Sequence, residues 1–105
     1  MKHYDVLISS KAFEDMEAIF DYIAGTLLEP RTAENQYDRI ADAILSLEKM
    51  PERIRLLDSE PERSKGLRPL LVDNYTVFFI IKAKTVHIAR VLYSASDLRK
   101  RLSEG

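Results

Sequence analysis

Residues 67–81, LRPLLVDNYTVFFII, predict a β-hairpin. The first strand contains Pro69, which has no amide hydrogen to donate, so we expect this strand at the edge of a sheet or with that position facing away from its neighbour. Asp73 and Asn74 form the turn, because both residues tolerate positive φ angles better than most. The second strand, YTVFFII, is apolar on both faces apart from one threonine, as expected of a central strand that is covered on both sides.

A third strand follows after a polar turn at residues 82–84. Residues 85–93 alternate strictly, with one face made of His87, Ala89, Val91 and Tyr93 and the other of Val86, Ile88, Arg90 and Leu92. Arg90 interrupts an apolar face, and burying an unpaired guanidinium costs several kcal/mol. We therefore expect Arg90 either to form a salt bridge, with an acid of a helix or with Asp97, or to have a functional role near an open edge.

The chain before the hairpin predicts a strand and two helices. Residues 3–9 alternate as a strand and end at Ser9-Ser10, where either serine can cap a helix. Apolar residues at spacings of three and four then mark a first helix (Phe13, Met16, Phe20, Ile23, Leu27) and a second helix up to Met50 (Ala33, Tyr37, Ile40, Ile44, Leu47). Pro30 interrupts the pattern, Thr32 is the expected cap of the second helix, and Pro51 stops it. The short connection predicts an antiparallel helical hairpin.

Residues 51–66 lack any sustained period and predict a loop that ends at Gly66. After the third strand, Ser94 or Ser96 can cap a short helix that contains Leu98 and Leu102. The order β-α-α-β-β-β-α predicts one α+β domain over residues 1–105: an antiparallel four-stranded sheet, an N-terminal helical hairpin packed on one face and a short C-terminal helix.

Composition narrows the class of protein. The chain is 46% hydrophobic and 31% charged, which is ordinary for a globular protein. It has no apolar run of bilayer length and no signal-peptide pattern, so we expect a cytoplasmic protein without a membrane partner. It contains no cysteine and two distant histidines, so we expect no disulfide, no metal site and no cofactor.

Charge is divided unevenly along the chain. Residues 10–50 carry nine acids and four bases, a balance of -5, whereas residues 51–105 carry eleven bases and seven acids, a balance of +4. The second half is therefore the one that an acidic partner or a polyanion would meet.

Four stretches together resemble toxins of the RelE/ParE superfamily: YDVLISSKAFEDMEAIFDYI (4–23), ILSLEKMPER (44–53), GLRPLLVDNYTVFFII (66–81) and IARVLYSASDL (88–98). The resemblance implies the toxin of a type II toxin–antitoxin system, which inhibits growth, contributes to plasmid stabilisation and is neutralised by a cognate protein antitoxin encoded beside it. It also implies that a flexible antitoxin segment folds onto the toxin, with a toxin–antitoxin hetero-oligomer as a possible assembly.

The superfamily resemblance implies two activities. RelE-type members are mRNA endonucleases that act in the ribosome, and their chemistry would fall here to Lys65, Arg68, Arg90 and Tyr93. ParE-type members inhibit DNA gyrase by binding and are not enzymes. Thr76 stands where the RelE pattern has an arginine, and Ser94-Ala95-Ser96 stands where many relatives have arginines.

A sequence pI near 6.1 is also low for a protein that grips RNA. The pattern favours the gyrase inhibitor, with a basic face for partner binding made of Lys65, Arg68, Arg90, Arg99, Lys100 and Arg101. The mRNA interferase and a non-toxic, antitoxin-binding autoregulator remain as alternatives.

Overall fold

The computed structural model describes residues 3–96 and 100–102. Its elements are β1 (Asp5–Ile8), α1 (Ser10–Asp21) continued by a π-helix (Tyr22–Thr26), α2 (Pro30–Leu45), 3-10 turns at Ser46–Glu48 and Pro51–Arg53, β2 (Arg68–Val72), β3 (Tyr75–Lys82) and β4 (Thr85–Tyr93). Residues 100–102 are helical. The rest of the predicted C-terminal helix, including Asp97, Leu98 and Arg99, lies outside the described residues. Within the described ranges, every helix is too short or too polar to cross a bilayer.

The four strands form one sheet in the order β1-β4-β3-β2. Strands β2, β3 and β4 are antiparallel neighbours as predicted, and Pro69 lies on the edge strand β2. However, β1 pairs with β4 in parallel, so the prediction of a wholly antiparallel sheet was wrong. The helices return the chain to the end of the sheet where β1 starts, since the Tyr4 amide donates to the Glu48 carbonyl at 2.9 Å. Strands β2, β3 and β4 then alternate in direction, so β4 runs parallel to β1.

The helical hairpin packs on one face of the sheet and buries the main core there. Most of the stripe predicted for the second helix is confirmed: Ala33, Ile40 and Ile44 of α2 and Leu47 of the following 3-10 turn are fully buried, and Tyr37 is partly buried. Ile40, Ile44 and Leu47 pack with Met16 of α1 and with residues of β3 and β4, among them Val77, Phe79, Val86, Ile88 and Val91. The rings of Phe20 and Tyr37 join the two helices edge to face at 6.3 Å.

The predicted stripe of α1 was partly wrong. Met16 and Ile23 are buried as predicted, but Phe13 is 44% exposed and Leu27 is about half exposed, while Ala12 and Asp15, which were not in the predicted stripe, are buried. Ser9 caps the helix by accepting from the Ala12 amide at 3.0 Å. The helix then widens to a π-helix at Tyr22–Thr26, so its later residues leave the 3.6-residue period on which the prediction was built.

Helix α2 begins at Pro30 rather than after Thr32. Proline suits the first turn of a helix, where its missing amide hydrogen has no partner to lose and its φ angle is already helical. The turn before it is closed by Leu28, whose φ is 57°, and by the Glu29 amide, which donates to the Ile23 carbonyl at 3.0 Å. The helix ends at Leu45, short of the predicted Met50.

The other face of the sheet carries a second, smaller core. Leu67, Phe78 and Leu92 are buried there, with Leu57 of the loop and Leu102 packed against them. Strand β3 is therefore covered on both faces, as predicted. The simple alternation predicted for β4 was wrong, because the register shifts between Phe78 and Phe79, which pair with Arg90 and Ile88. Because of this bulge at Ala89, the side chains of Val91 and Ile88 pack in the same core.

An ion pair fixes α2 to the turn between β2 and β3. Arg39 donates to both carboxylate oxygens of Asp73, at 2.7 and 2.8 Å, and Gln36 donates to the same carboxylate at 3.1 Å. Asp73 is in the left-handed region, with φ 55°, which confirms the predicted turn. The hydrogen bonds from Arg39, then that from Gln36, hold the pKa of Asp73 below its ordinary value of 3.8.

We expect this contact to make stability depend on pH at the acidic end. Because the folded pKa of Asp73 is lowered, its contribution is present above pH 3.8 and is lost as the pH falls through the folded value. Unfolding midpoints measured from neutral to acidic pH test this in Asp73→Asn, since asparagine also tolerates the left-handed turn. The variant should lose less stability than the wild type over that window; equal losses would contradict the expectation.

Candidate partner-binding site

Arg90 is the best-connected of the predicted site residues, and it is 5% exposed. Its Nε and Nη2 donate to the two carboxylate oxygens of Asp15 at 2.7 and 2.9 Å. Its Nη1 donates to the backbone carbonyl of Arg101 at 2.9 Å. Arg90 was predicted either to form a salt bridge or to have a functional role. The structure shows a salt bridge with an acid of a helix, and that acid is Asp15. The guanidinium group joins α1, β4 and the C-terminal segment.

The bulge and the end of β1 explain why this ion pair forms. Strand β1 pairs with β4 only as far as Ile88, so the outer edge of β4 is open beyond that residue. There, Asp15 takes the place of a neighbouring strand: its Oδ2 accepts a hydrogen bond from the Val91 amide at 3.0 Å. One carboxylate therefore satisfies a buried backbone donor and a buried cation, two groups that would be costly to leave unpaired.

The remaining predicted cations do not join Arg90 in one exposed patch. Arg68, at the start of β2, donates to the backbone carbonyl of Ile54. Lys65 is exposed in the turn before Gly66, whose φ is 82°. Lys100 is exposed and Arg101 partly buried. Arg99 lies outside the described residues.

A groove of about 520 Å³ lies beside Arg90, between the end of α1 and the ends of β3 and β4. Apolar side chains form much of its wall, among them Ile19, Leu27 and Val91, and Arg101 lies at its border. Tyr22, Tyr75 and Tyr93 also line it. Tyr22 and Tyr93 are about half exposed. Tyrosine and arginine are residue types that contribute strongly to protein interfaces, so this groove suits a segment of another protein.

Two of the tyrosines that line the groove contact each other. The rings of Tyr75 and Tyr93 meet at 5.9 Å in an edge-to-face arrangement. Burial raises the pKa of the Tyr75 hydroxyl above its ordinary value of 10.0, and the nearby Tyr93 and Tyr22 raise it further. The raised pKa makes the Tyr75 hydroxyl harder to deprotonate than an exposed tyrosine.

Two further positions meet where β3 begins and β4 ends. Thr76 is buried on β3, and its Oγ1 lies 2.7 Å from Oγ of Ser94, just after β4. Thr76 stands where the resemblance to RelE-type members implies an arginine, and Ser94 begins the stretch Ser94-Ala95-Ser96, where it implies further arginines. Within the described ranges, no group of three or more histidine, aspartate or glutamate side chains could hold a metal ion.

Residues 6–98 match the family model described as the ParE toxin of the type II toxin–antitoxin system, parDE. The chain belongs to the ParE toxin family. A comparison with curated proteins finds no match. The family match covers both helices, β2, β3 and β4, and all of β1 except Asp5 in this ParE-family chain.

Solved structures show the same fold. The ParE-family chain aligns with the chromosomal ParDE TA system from P. aeruginosa with a TM-score of 0.73 and 23% identity, covering 89% of this chain and 98% of that one. For the RelBE2 toxin–antitoxin complex from Mycobacterium tuberculosis the TM-score is 0.61, with 21% identity and 87% and 98% coverage. For YafQ from E. coli it is 0.52, with 14% identity and 88% and 94% coverage.

Sequence reasoning missed Asp15 and the groove. Asp15 was counted as one helix acid among nine in its half of the chain, and no local signal distinguishes it. The groove depends on Tyr22, Tyr75 and Tyr93, which are far apart in sequence.

Proposed function

We propose that this ParE-family chain inhibits DNA gyrase by binding to it and does not cleave RNA. The observation that carries the proposal is the neutral contact between Thr76 and Ser94, 2.7 Å apart. Cleavage of RNA without a metal requires cations to stabilise the charge that builds up on the phosphate. Two adjacent hydroxyl groups occupy the positions where the RelE pattern would supply such cations.

The hydrogen bonds and the burial of Arg90 support the same proposal. Three of its nitrogens donate to Asp15 and to the Arg101 carbonyl, and the side chain is buried. A phosphate could reach the guanidinium only after the ion pair with Asp15 had opened, and breaking a buried ion pair is costly. Arg90 therefore stabilises the fold of the toxin. Inhibition by binding does not require Arg90 to contact a phosphate, so it is a simpler function for this site than RNA cleavage.

We also propose that a cytoplasmic antitoxin neutralises the chain by placing a flexible segment in the tyrosine-lined groove. The names of two similar structures, a ParDE TA system and a RelBE2 toxin–antitoxin complex, support such a partner. The groove is lined by apolar side chains, by three tyrosines, and by Asp15 and Arg101. It suits an extended segment with a bulky apolar side chain and an acidic neighbour.

The test is to add the purified chain to two reactions: supercoiling of relaxed plasmid by gyrase, and translation of a defined mRNA on ribosomes. We expect inhibited supercoiling and an intact mRNA, with supercoiling restored when the antitoxin encoded beside the gene is added. Cleavage of the mRNA with supercoiling unaffected would favour the endonuclease. No effect in either reaction, with the antitoxin still bound, would favour the autoregulator.

A further inference from the structure

The second face of the sheet, opposite the helical hairpin, is only partly covered. Where β1 lies beside the start of β4, Leu7 is 56% exposed. Val6 and Ile8 pack on the core under the hairpin, so Leu7, which stands between them on the strand, faces the other side. This uncovered area, which we call the open strip, consists of six residues on three adjacent strands: Asp5, Leu7, Ile80, Lys82, Thr85 and His87.

The open strip has two cross-strand rows. Read from β1 across β4 to β3, they are Leu7, His87, Ile80 and Asp5, Thr85, Lys82. The first row therefore has an apolar side chain at each end, and the second has an acid at one end and a base at the other. Asp5 and Lys82 are both exposed, and neither forms a salt bridge with any residue that the structure describes.

This pattern is complementary to itself. A two-fold axis that runs parallel to β4, between two copies placed face to face, exchanges the β1 and β3 sides of the open strip. Asp5 of each copy then lies opposite Lys82 of the other. Reciprocal contacts of this kind characterise a symmetric dimer interface. An in-plane axis at right angles to β4 leaves each acid on the side of the other copy's acid, so the charges favour the axis along β4.

The order of the strands makes this arrangement sterically possible. Two sheets that pack face to face keep their strand directions within about 30° of each other, and an axis along β4 satisfies this condition. In the order β1-β4-β3-β2, the axis places β3 of one copy over β1 of the other and β2 outside the β1 edge. The loop beside β2, in which Leu57 packs on the second core, then lies outside the other copy's sheet and does not block the contact.

The other charges near the open strip do not change this pattern. Lys84 is exposed in the turn next to Thr85, so the axis brings it towards its own copy rather than towards an acid. His87 also meets its own copy, and His3 is exposed just before β1. The loop beside β2 carries equal numbers of bases and acids: Arg55, Arg63 and Lys65 against Asp58, Glu60 and Glu62.

We propose that this ParE-family chain forms a symmetric homodimer through the open strip. The two apolar rows cover each other, and two reciprocal contacts between Asp5 and Lys82 set the orientation. Dimerisation requires neither gyrase nor an antitoxin. The tyrosine-lined groove is formed at the opposite ends of β3 and β4, by Tyr75 and Tyr93 among others, so the dimer leaves it open.

The first test removes the apolar end of the row. Sedimentation velocity over a concentration series should show the wild-type chain shifting from monomer to dimer. We expect Leu7→Ser to dimerise at least about tenfold more weakly, because each dimer loses two buried leucines. Leu71→Ser is the matched control and should dimerise normally, since Leu71 is 73% exposed on the edge strand β2, outside the open strip. Thermal unfolding checks that both variants are folded.

The second test reverses the charges. Asp5→Lys and Lys82→Asp should each weaken dimerisation at least about tenfold, because each variant places like charges opposite each other. When the two variants are mixed, they should form a heterodimer, since both contacts then join an acid to a base. Lys84→Asp, the same change of charge in the adjacent turn, is the control and should dimerise like the wild type.

Each outcome bears on a different part of the proposal. A wild-type chain that stays monomeric at every concentration overturns the dimer. A dimer that a folded Leu7→Ser variant leaves unchanged overturns the open strip as its interface. Charge variants that remain monomeric when mixed overturn the axis along β4. Inhibition of gyrase is measured separately, so these results leave the proposed function standing.

Discussion

Replacing Asp15 by alanine is expected to lower the free energy of unfolding by about 3–5 kcal/mol, the usual cost of removing one partner of a buried ion pair. Both charged groups are almost fully buried, with side-chain exposures of 6% for Arg90 and 9% for Asp15. The change also leaves the Val91 amide without its acceptor at the open edge of β4. The loss therefore exceeds what an exposed carboxylate could cause.

Chemical denaturation of the purified variant measures this effect. The matched control is Asp42→Ala on α2, where the carboxylate is exposed and should change stability by less than about 0.5 kcal/mol. Adding Arg90→Met to Asp15→Ala should recover part of the loss, because the uncompensated cation is then gone. A loss for Asp15→Ala no larger than that of the control would show that the ion pair does not hold the β4 edge.

Phe78→Ala and Phe79→Ala should each cost about 3–5 kcal/mol, although the two residues are adjacent on β3. Phe79 is fully buried in the core under the helical hairpin, and Phe78 is 1% exposed in the second core on the opposite face. Each substitution removes a large side chain from a packed site, so each leaves a cavity as well as losing buried apolar area.

Denaturation measurements on both variants test whether the sheet is truly covered on both faces. Leu71→Ala on the edge strand, where the side chain is mostly exposed, serves as the control and should be nearly neutral. If Phe78→Ala proved as mild as this control, the second core formed by Leu67, Leu92 and the C-terminal segment would contribute little to the fold.

Much of this fold was predictable because its signals are local. The period of two in residues 85–93, the proline in β2 and the Asp73-Asn74 turn identify the meander without further information. The α2 stripe is equally clear, since an uninterrupted α-helix keeps its 3.6-residue period over four turns. These elements also carry the resemblance to the RelE/ParE superfamily, which the family match confirms.

The errors arose where the backbone departs from a regular period or where distant segments meet. The π-helix at Tyr22–Thr26 moves Leu27 out of the predicted stripe, and the bulge in β4 exchanges the faces after Ile88. Neither irregularity has a strong sequence signature. The direction of β1 relative to β4 depends on where the hairpin returns the chain, which is a property of the whole path.

The candidate site was predictable only in its parts. Arg90 stood out in the sequence because a charge on an apolar strand face needs an explanation, and the explanation proved to be Asp15. The choice among the helix acids depends on the phase of α1 and on the open edge of β4, which appear only in three dimensions. The same is true of the groove formed by Tyr22, Tyr75 and Tyr93.

The central claim is that this ParE-family chain acts by binding to gyrase and that Arg90 stabilises the fold. The most direct measurement is the inhibition of gyrase supercoiling by the folded double variant Asp15→Asn with Arg90→Met, in parallel with its action on ribosome-bound mRNA. The account predicts that the variant inhibits gyrase as strongly as the wild type and that neither protein cuts the mRNA. Cleavage by the wild type that disappears with Arg90 would contradict it.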